Sequence, residues 1–168
     1  SGDWSSDVCS SDLRSHWKFN ESKYAEARDE KARNSGTLLA LPVVGEDKAW
    51  HSGLFGNAVH LDGEDGRVNF GALQLDGNLT FSLWVKPDDN TTSAGEMELL
   101  SKRGIATMNH FRLFKRDGNG SLGLQFFPDG NASDTQIVFF EEEVLQDGNW
   151  THLAFSYDNR MGTIRLYA

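Results

Sequence analysis

Among 168 residues, 25 acidic side chains outnumber 16 basic ones, and the net charge of −9 repels phosphate backbones, which sets nucleic acid aside as a partner. Hydrophobic residues at 38% and aromatic residues at 11% suffice for a real core in one domain, and the chain is short for two. No run is apolar for long enough to form a transmembrane helix, and no basic-then-apolar signal peptide is visible, so no membrane insertion is expected in this segment.

Residues 3–13 read DWSSDVCSSDL, and all eleven match the translation of a common sequencing-library adapter. Residues 1–13 are therefore expected to be a non-native, disordered tail, with the domain running over 14–168. Cys9, the only cysteine, falls in that tail and carries no information on redox compartment or metal binding. A signal peptide encoded ahead of Arg14 would not be visible.

Trp17, Lys18 and Phe19 read as a short strand that enters a polar loop. Residues 23–33 are rich in Ala, Glu, Lys and Arg, but their apolar positions form too weak a stripe to anchor a helix, so a loop is expected. Residues 37–41 form a plausible strand ending at Pro42. Residues 50–56 read as a loop leading to a strand at 58–61, and DGEDG at 62–66 reads as a hairpin turn from which 67–70 returns.

The stretch LTFSLWVKP, residues 79–87, organises the rest. Leu79, Phe81, Leu83 and Val85 alternate with Thr80, Ser82, Trp84 and Lys86, the period of a strand with one apolar face. Further strands are expected at 97–101, 111–115, 122–127, 136–140, 150–157 and 163–168. Turn residues at 117–120, 128–131, 147–149 and 158–162 separate the later ones. Nine or ten short strands without a convincing helix predict an all-β fold, a two-sheet antiparallel β-sandwich or jelly roll.

The order of these segments adds to that reading. GLFGNAVHLDGEDGRVNFG at 53–71, LTFSLWVKP at 79–87, ELLSKRG at 98–104 and DGNWTHLAFSYDNRMGTIRLYA at 147–168 together resemble the laminin-G-like, concanavalin A-like jelly-roll modules. Residues 17–38 resemble that family's opening, a tryptophan strand followed by a loop running here from Asp29 to Gly36. The resemblance covers residues 16–168 and implies a jelly roll, incomplete at its C-terminus, from an extracellular or cell-surface protein. It also implies functions that range over carbohydrate binding, adhesion and structural spacing, and a structural Ca2+ at one edge.

Some folds of this kind are glucanases, which carry paired carboxylates along one strand. The nearest match is Glu96 and Glu98, where the third acid of the pattern is missing. Glu141, Glu142 and Glu143 are consecutive, so their side chains alternate between faces. The five histidines lack metal spacing and no G-x-S-x-G is present, so no enzymatic activity is expected. For calcium, the resemblance points to Asp29 and Asn34 in the opening loop, with Asp62 next. The competing reading is that Asp and Asn occupy turns because they cap them.

A sugar site needs an aromatic platform with polar neighbours. Trp50 and His51 in the irregular loop, together with Tyr157, are the candidates. Trp84 lies on the face opposite the apolar stripe, but Trp17, Trp84 and Trp150 are expected to pack in the core or under loops. The function expected is non-catalytic recognition or adhesion towards a glycan or an extracellular protein ligand. The alternatives are a structural spacer and an accessory module of a carbohydrate-active enzyme.

Overall fold

The computed structural model describes residues 13–45, 48–75, 77–88, 95–102, 110–116, 120–127, 135–140 and 143–168. The expectations for residues 1–12, including Cys9, for the turns at 117–119 and 128–131, and for Glu141 and Glu142 lie outside the described residues. The strands are β1 (Glu26–Ala27), β2 (Gly36–Leu39), β3 (Trp50–Ser52), β4 (Asn57–Val59), β5 (Arg67–Asn69), β6 (Leu79–Val85), β7 (Met97–Lys102), β8 (His110–Lys115), β9 (Leu122–Phe127), β10 (Gln136–Phe139), β11 (Thr151–Asp158) and β12 (Thr163–Tyr167). Every pairing between them is antiparallel, and among the described residues there is no helix. Two compact units divide the chain, Ser1–Leu73 and Gln74–Ala168.

The second unit is a two-sheet sandwich. One sheet has the order β12-β11-β6 and the other β10-β9-β8-β7. Strand β6 follows its alternation: Leu79 is buried, Phe81, Leu83 and Val85 are half-buried, and Thr80, Ser82 and Trp84 are exposed. It pairs with β11 so that Leu79, Phe81 and Leu83 stand opposite Tyr157, Phe155 and Leu153. Two apolar stripes therefore coincide on one face, which a one-residue slip would turn outward. Against them pack Phe111 and Leu113 of β8 and Leu122, Leu124 and Phe126 of β9. The ring of Phe111 lies 5.0 Å from both Phe81 and Phe155, and Phe126 lies 4.3 Å from Tyr157. Burial of each such side chain contributes about 1.5–3 kcal/mol, so these rings dominate the core. A bulge between Glu98 and Leu100 interrupts the pairing of β7 with β8.

In the first unit, β1-β2-β5 form one sheet and β3-β4 a hairpin around Ala27, Leu38, Ala49 and Trp50. Four expectations change here. Residues 26–27 are strand, paired with 36–37, where a loop was expected. Residues 50–52 are strand where a loop was expected, because they pair with 57–59. Residues 17–19 reduce to a single bridge from Trp17 to Asp29. The 62–66 turn is not a hairpin, since β4 pairs with β3 whereas β5 pairs with β2. Asp62 closes that turn by accepting the N–H groups of Glu64 and Gly66 at 3.0 Å each, a local geometry indifferent to which sheet the chain enters next.

Candidate functional site

The opening loop is built around Asp29, which is 5% exposed. Its Oδ1 accepts the backbone N–H of His16 at 2.8 Å and of Lys31 at 3.0 Å. Its Oδ2 accepts those of Arg33 at 3.2 Å and Asn34 at 3.0 Å. Burial works to raise the pKa of this carboxyl, but the N–H groups of His16, Lys31 and Asn34 outweigh it and hold the pKa well below the usual carboxylate range. The side-chain NH2 of Asn34 donates to Ser15 Oγ at 2.7 Å, and the backbone carbonyl of Asn34 accepts the indole N–H of Trp17 at 2.7 Å. Hydrogen bonds to backbone groups also lower the pKa of Asp62.

Trp50 is 2% exposed, and its indole N–H donates to the Tyr24 carbonyl at 2.8 Å. Strand β3 turns the ring inward, so it offers no open face on which a sugar could stack. Its neighbour His51 is exposed, with its ring 4.7 Å from that of His60. Together with Ser22, Lys48, Trp50, Ser52 and Asn57 it borders an open depression of about 250 Å3. Tyr157 is 4% exposed and belongs to the core of the second unit, with its hydroxyl 3.3 Å from Asn159 Oδ1. Burial, and secondarily the charge of Asp158, push its phenol pKa up. Trp50 and His51 belong to the first unit and Tyr157 to the second.

The exposed aromatic surface lies elsewhere. Trp84 is 47% exposed, a correction to its expected packing in the core, and faces His152 across β6 and β11 with ring centroids 5.0 Å apart. Tyr167 on β12, 52% exposed, stands opposite Ala154, one row along the same face. Ser82 stands in the Tyr167 row, and Thr80 and Ser156 in the row beyond it, adding hydroxyls to the face. The signal for this face was present in the sequence: Trp84 and His152 alternate against the two apolar stripes, and alternation outweighs the general tendency of tryptophan to be buried.

Residues 62–168 match a laminin-G-like family model described as the concanavalin A-like lectin/glucanases superfamily. The chain belongs to this family. No curated protein and no solved structure matches it. The match takes in the whole second unit, including the Trp84 face, and leaves the Asp29 loop outside it.

Membership of the laminin-G-like family raises calcium and glycoside chemistry as questions for particular residues. Calcium requires six to eight oxygen ligands. The carboxylate of Asp29 has both oxygens occupied by four N–H donors, while Asn34 spends its backbone N–H and its side-chain NH2 as donors and its backbone carbonyl on the Trp17 indole. The Asp29 carboxylate therefore does not fit a calcium ion: it is itself the anion that the loop binds. Among the described residues no three of His, Cys, Asp and Glu converge as metal ligands.

The acids of β7 and its approach have a different partner. Arg112 places Nη1 2.6 Å from Glu96 Oε2 and Nε 3.2 Å from Glu98 Oε2. Both carboxylates are drawn onto one guanidinium rather than standing apart across a groove, as an acid and a nucleophile would. No helix among the described residues is long and apolar enough to cross a membrane.

Proposed function

We propose that this laminin-G-like chain is a non-catalytic recognition module that binds glycans on the outer face of β11 and β6. The observation that carries this reading is the exposed Trp84–His152 pair. A pyranose presents an apolar C–H face to an aromatic ring and hydroxyls around its edge. A half-exposed indole with Ser82 beside it and Thr80 and Ser156 further along the same face meets both requirements. The pairing of Glu96 and Glu98 with Arg112 supports a module without glycosidase chemistry. Domains of this family are often extracellular, and a glycan ligand suits a place outside the cell or on its surface.

The test is affinity electrophoresis of the chain through gels containing neutral and acidic polysaccharides in turn. Retardation in at least one of them, lost in Trp84→Ala with an unchanged melting temperature, is the expected outcome. Retardation in none would leave the module as a structural spacer. Retardation that survives Trp84→Ala would move the site away from this face.

A further inference from the structure

Independently of the glycan reading, we infer that His51 and His60 form a two-point chelate in the first unit for one divalent transition metal of tetragonal preference, Cu2+ or Ni2+. The two histidines stand nine positions apart in the sequence, a spacing with no metal signal of its own. The β3–β4 hairpin brings them together. His51 pairs with Ala58, and the ladder continues one step past β4, where the His60 N–H donates to the Ala49 carbonyl at 2.7 Å. His60 follows Ala58 by two residues, so both imidazoles stand on one face as a diagonal cross-strand pair.

Their ring centroids lie 4.7 Å apart. A metal about 2.1 Å from an imidazole nitrogen lies about 3.2 Å from the centroid of that ring. Two rings bound to one ion at the observed separation therefore make an angle of about 95° at the metal. That is the cis angle of a tetragonal site, tighter than the tetrahedral angle of about 110° that zinc takes, and it suits Cu2+ and Ni2+. The ring planes stand 31° apart, and turning each ring about its Cβ–Cγ bond brings a nitrogen round while leaving the centroid almost in place. His51 is exposed and borders the open depression with Ser52 and Asn57, so water can fill the remaining coordination positions. Charge there is balanced. The ammonium of Lys48 opposes a cation, whereas the carboxylate of Asp62, whose pKa is lowered by the Glu64 and Gly66 N–H groups and then by the charge of His60, favours one. With no third His, Cys, Asp or Glu converging among the described residues, the pair describes an ion that exchanges with solution.

The experiment titrates the full chain with Ni2+, Zn2+ and Cu2+ in a non-coordinating buffer, with Cys9→Ser in every sample because a thiolate would compete for the ion. Calorimetry gives stoichiometry and affinity, and electron paramagnetic resonance of the copper sample counts the nitrogen ligands. One ion per chain is expected, with two nitrogens on copper. His51→Ala and His60→Ala should each weaken Ni2+ binding about tenfold or more and leave a single nitrogen on copper, whereas His16→Ala, outside the pair, should change neither. The melting temperature in chelator keeps loss of binding apart from loss of fold. His51 is exposed and its removal should leave that temperature unchanged, and His60→Gln serves where His60→Ala unfolds. Absence of binding would overturn the chelate. Affinity that survives either substitution would do the same, since it would mark a lone surface histidine as the ligand. Tighter binding of Zn2+ than of Ni2+ would overturn the tetragonal geometry.

Discussion

Phe114 lies against Gly123, its partner in register across β8 and β9, so closely that a β-carbon at residue 123 would overlap the ring. Arg112 adds a cation above the same ring, 4.2 Å from its centroid, while holding Glu96 and Glu98. Around Phe114 the outer side of this sheet is therefore packed, while Ile137 and Phe139 of β10 on the same side remain 49% and 43% exposed. Gly123→Ala should push the phenyl ring out of its seat and cost about 1–3 kcal/mol as an overpacking substitution. A fall in the denaturation midpoint checks this. An unchanged midpoint would mean that the ring relaxes freely.

Asp29 is expected to be the principal acid-sensitive group of the first unit. Its pKa is lowered on folding, so the stability it contributes is fully present above the unfolded value near 4 and is lost as pH falls through the folded value. Hydrogen exchange of the β1–β2 amides, including Ala27 and Leu38, should accelerate as pH drops below about 4, after correction for intrinsic rates. Asp29→Asn should cost about 3 kcal/mol, since one carboxylate satisfies four backbone donors. The variant should also show a flatter response to acid. A variant as stable as the parent would remove Asp29 from this role.

Ala32 sits in the same loop at φ 53°, a left-handed conformation that a β-carbon makes unfavourable. Its N–H donates to the Asp29 carbonyl at 2.8 Å, which ties the strained residue to the carboxylate's own backbone. Ala32→Gly should relieve about 1 kcal/mol of strain, offset in part by the greater freedom of glycine in the unfolded chain. A small rise or no change in stability is expected, and a clear loss would contradict the strain.

Calcium gives a sharp contrast with the expectation drawn from resemblance. Because the Asp29 carboxylate already accepts four backbone N–H groups, the melting temperature should be the same in excess calcium as in chelator. A rise that follows calcium concentration, and that is lost in Asp62→Asn, would restore the metal and place it at the 62–66 turn.

The sandwich was legible because its signal is local. The alternation of residues 79–85 and 151–157 names both the inner and the outer face of a strand, and register with a like-patterned partner does the rest. Trp50 was not legible. Its strand is three residues long, too short for a period, and the group that satisfies its indole lies 26 residues away at Tyr24. Residues 62–66 misled for a related reason: Asp62 closes the turn with its own carboxylate, and nothing in that chemistry records that the flanking strands enter different sheets. Asp29 was expected as a metal ligand, whereas its partners, backbone donors rather than a cation, are a property of the folded loop.

Trp50→Phe separates the two aromatic candidates. The substitution keeps most of the buried apolar area and removes the donor to the Tyr24 carbonyl, so it should cost about 1–2 kcal/mol through the lost hydrogen bond and the volume of the smaller ring. Since the ring has no open face, binding of any glycan that Trp84 holds should be unaffected once the variant is folded. Trp84→Ala should do the reverse, removing little stability because 47% of that residue is already exposed, while abolishing retention. Paired denaturation and affinity electrophoresis on the two variants read both effects. Loss of binding in Trp50→Phe with Trp84→Ala unaffected would return the site to the depression beside His51, where Lys48 and Asn57 would then be the polar contacts to substitute next.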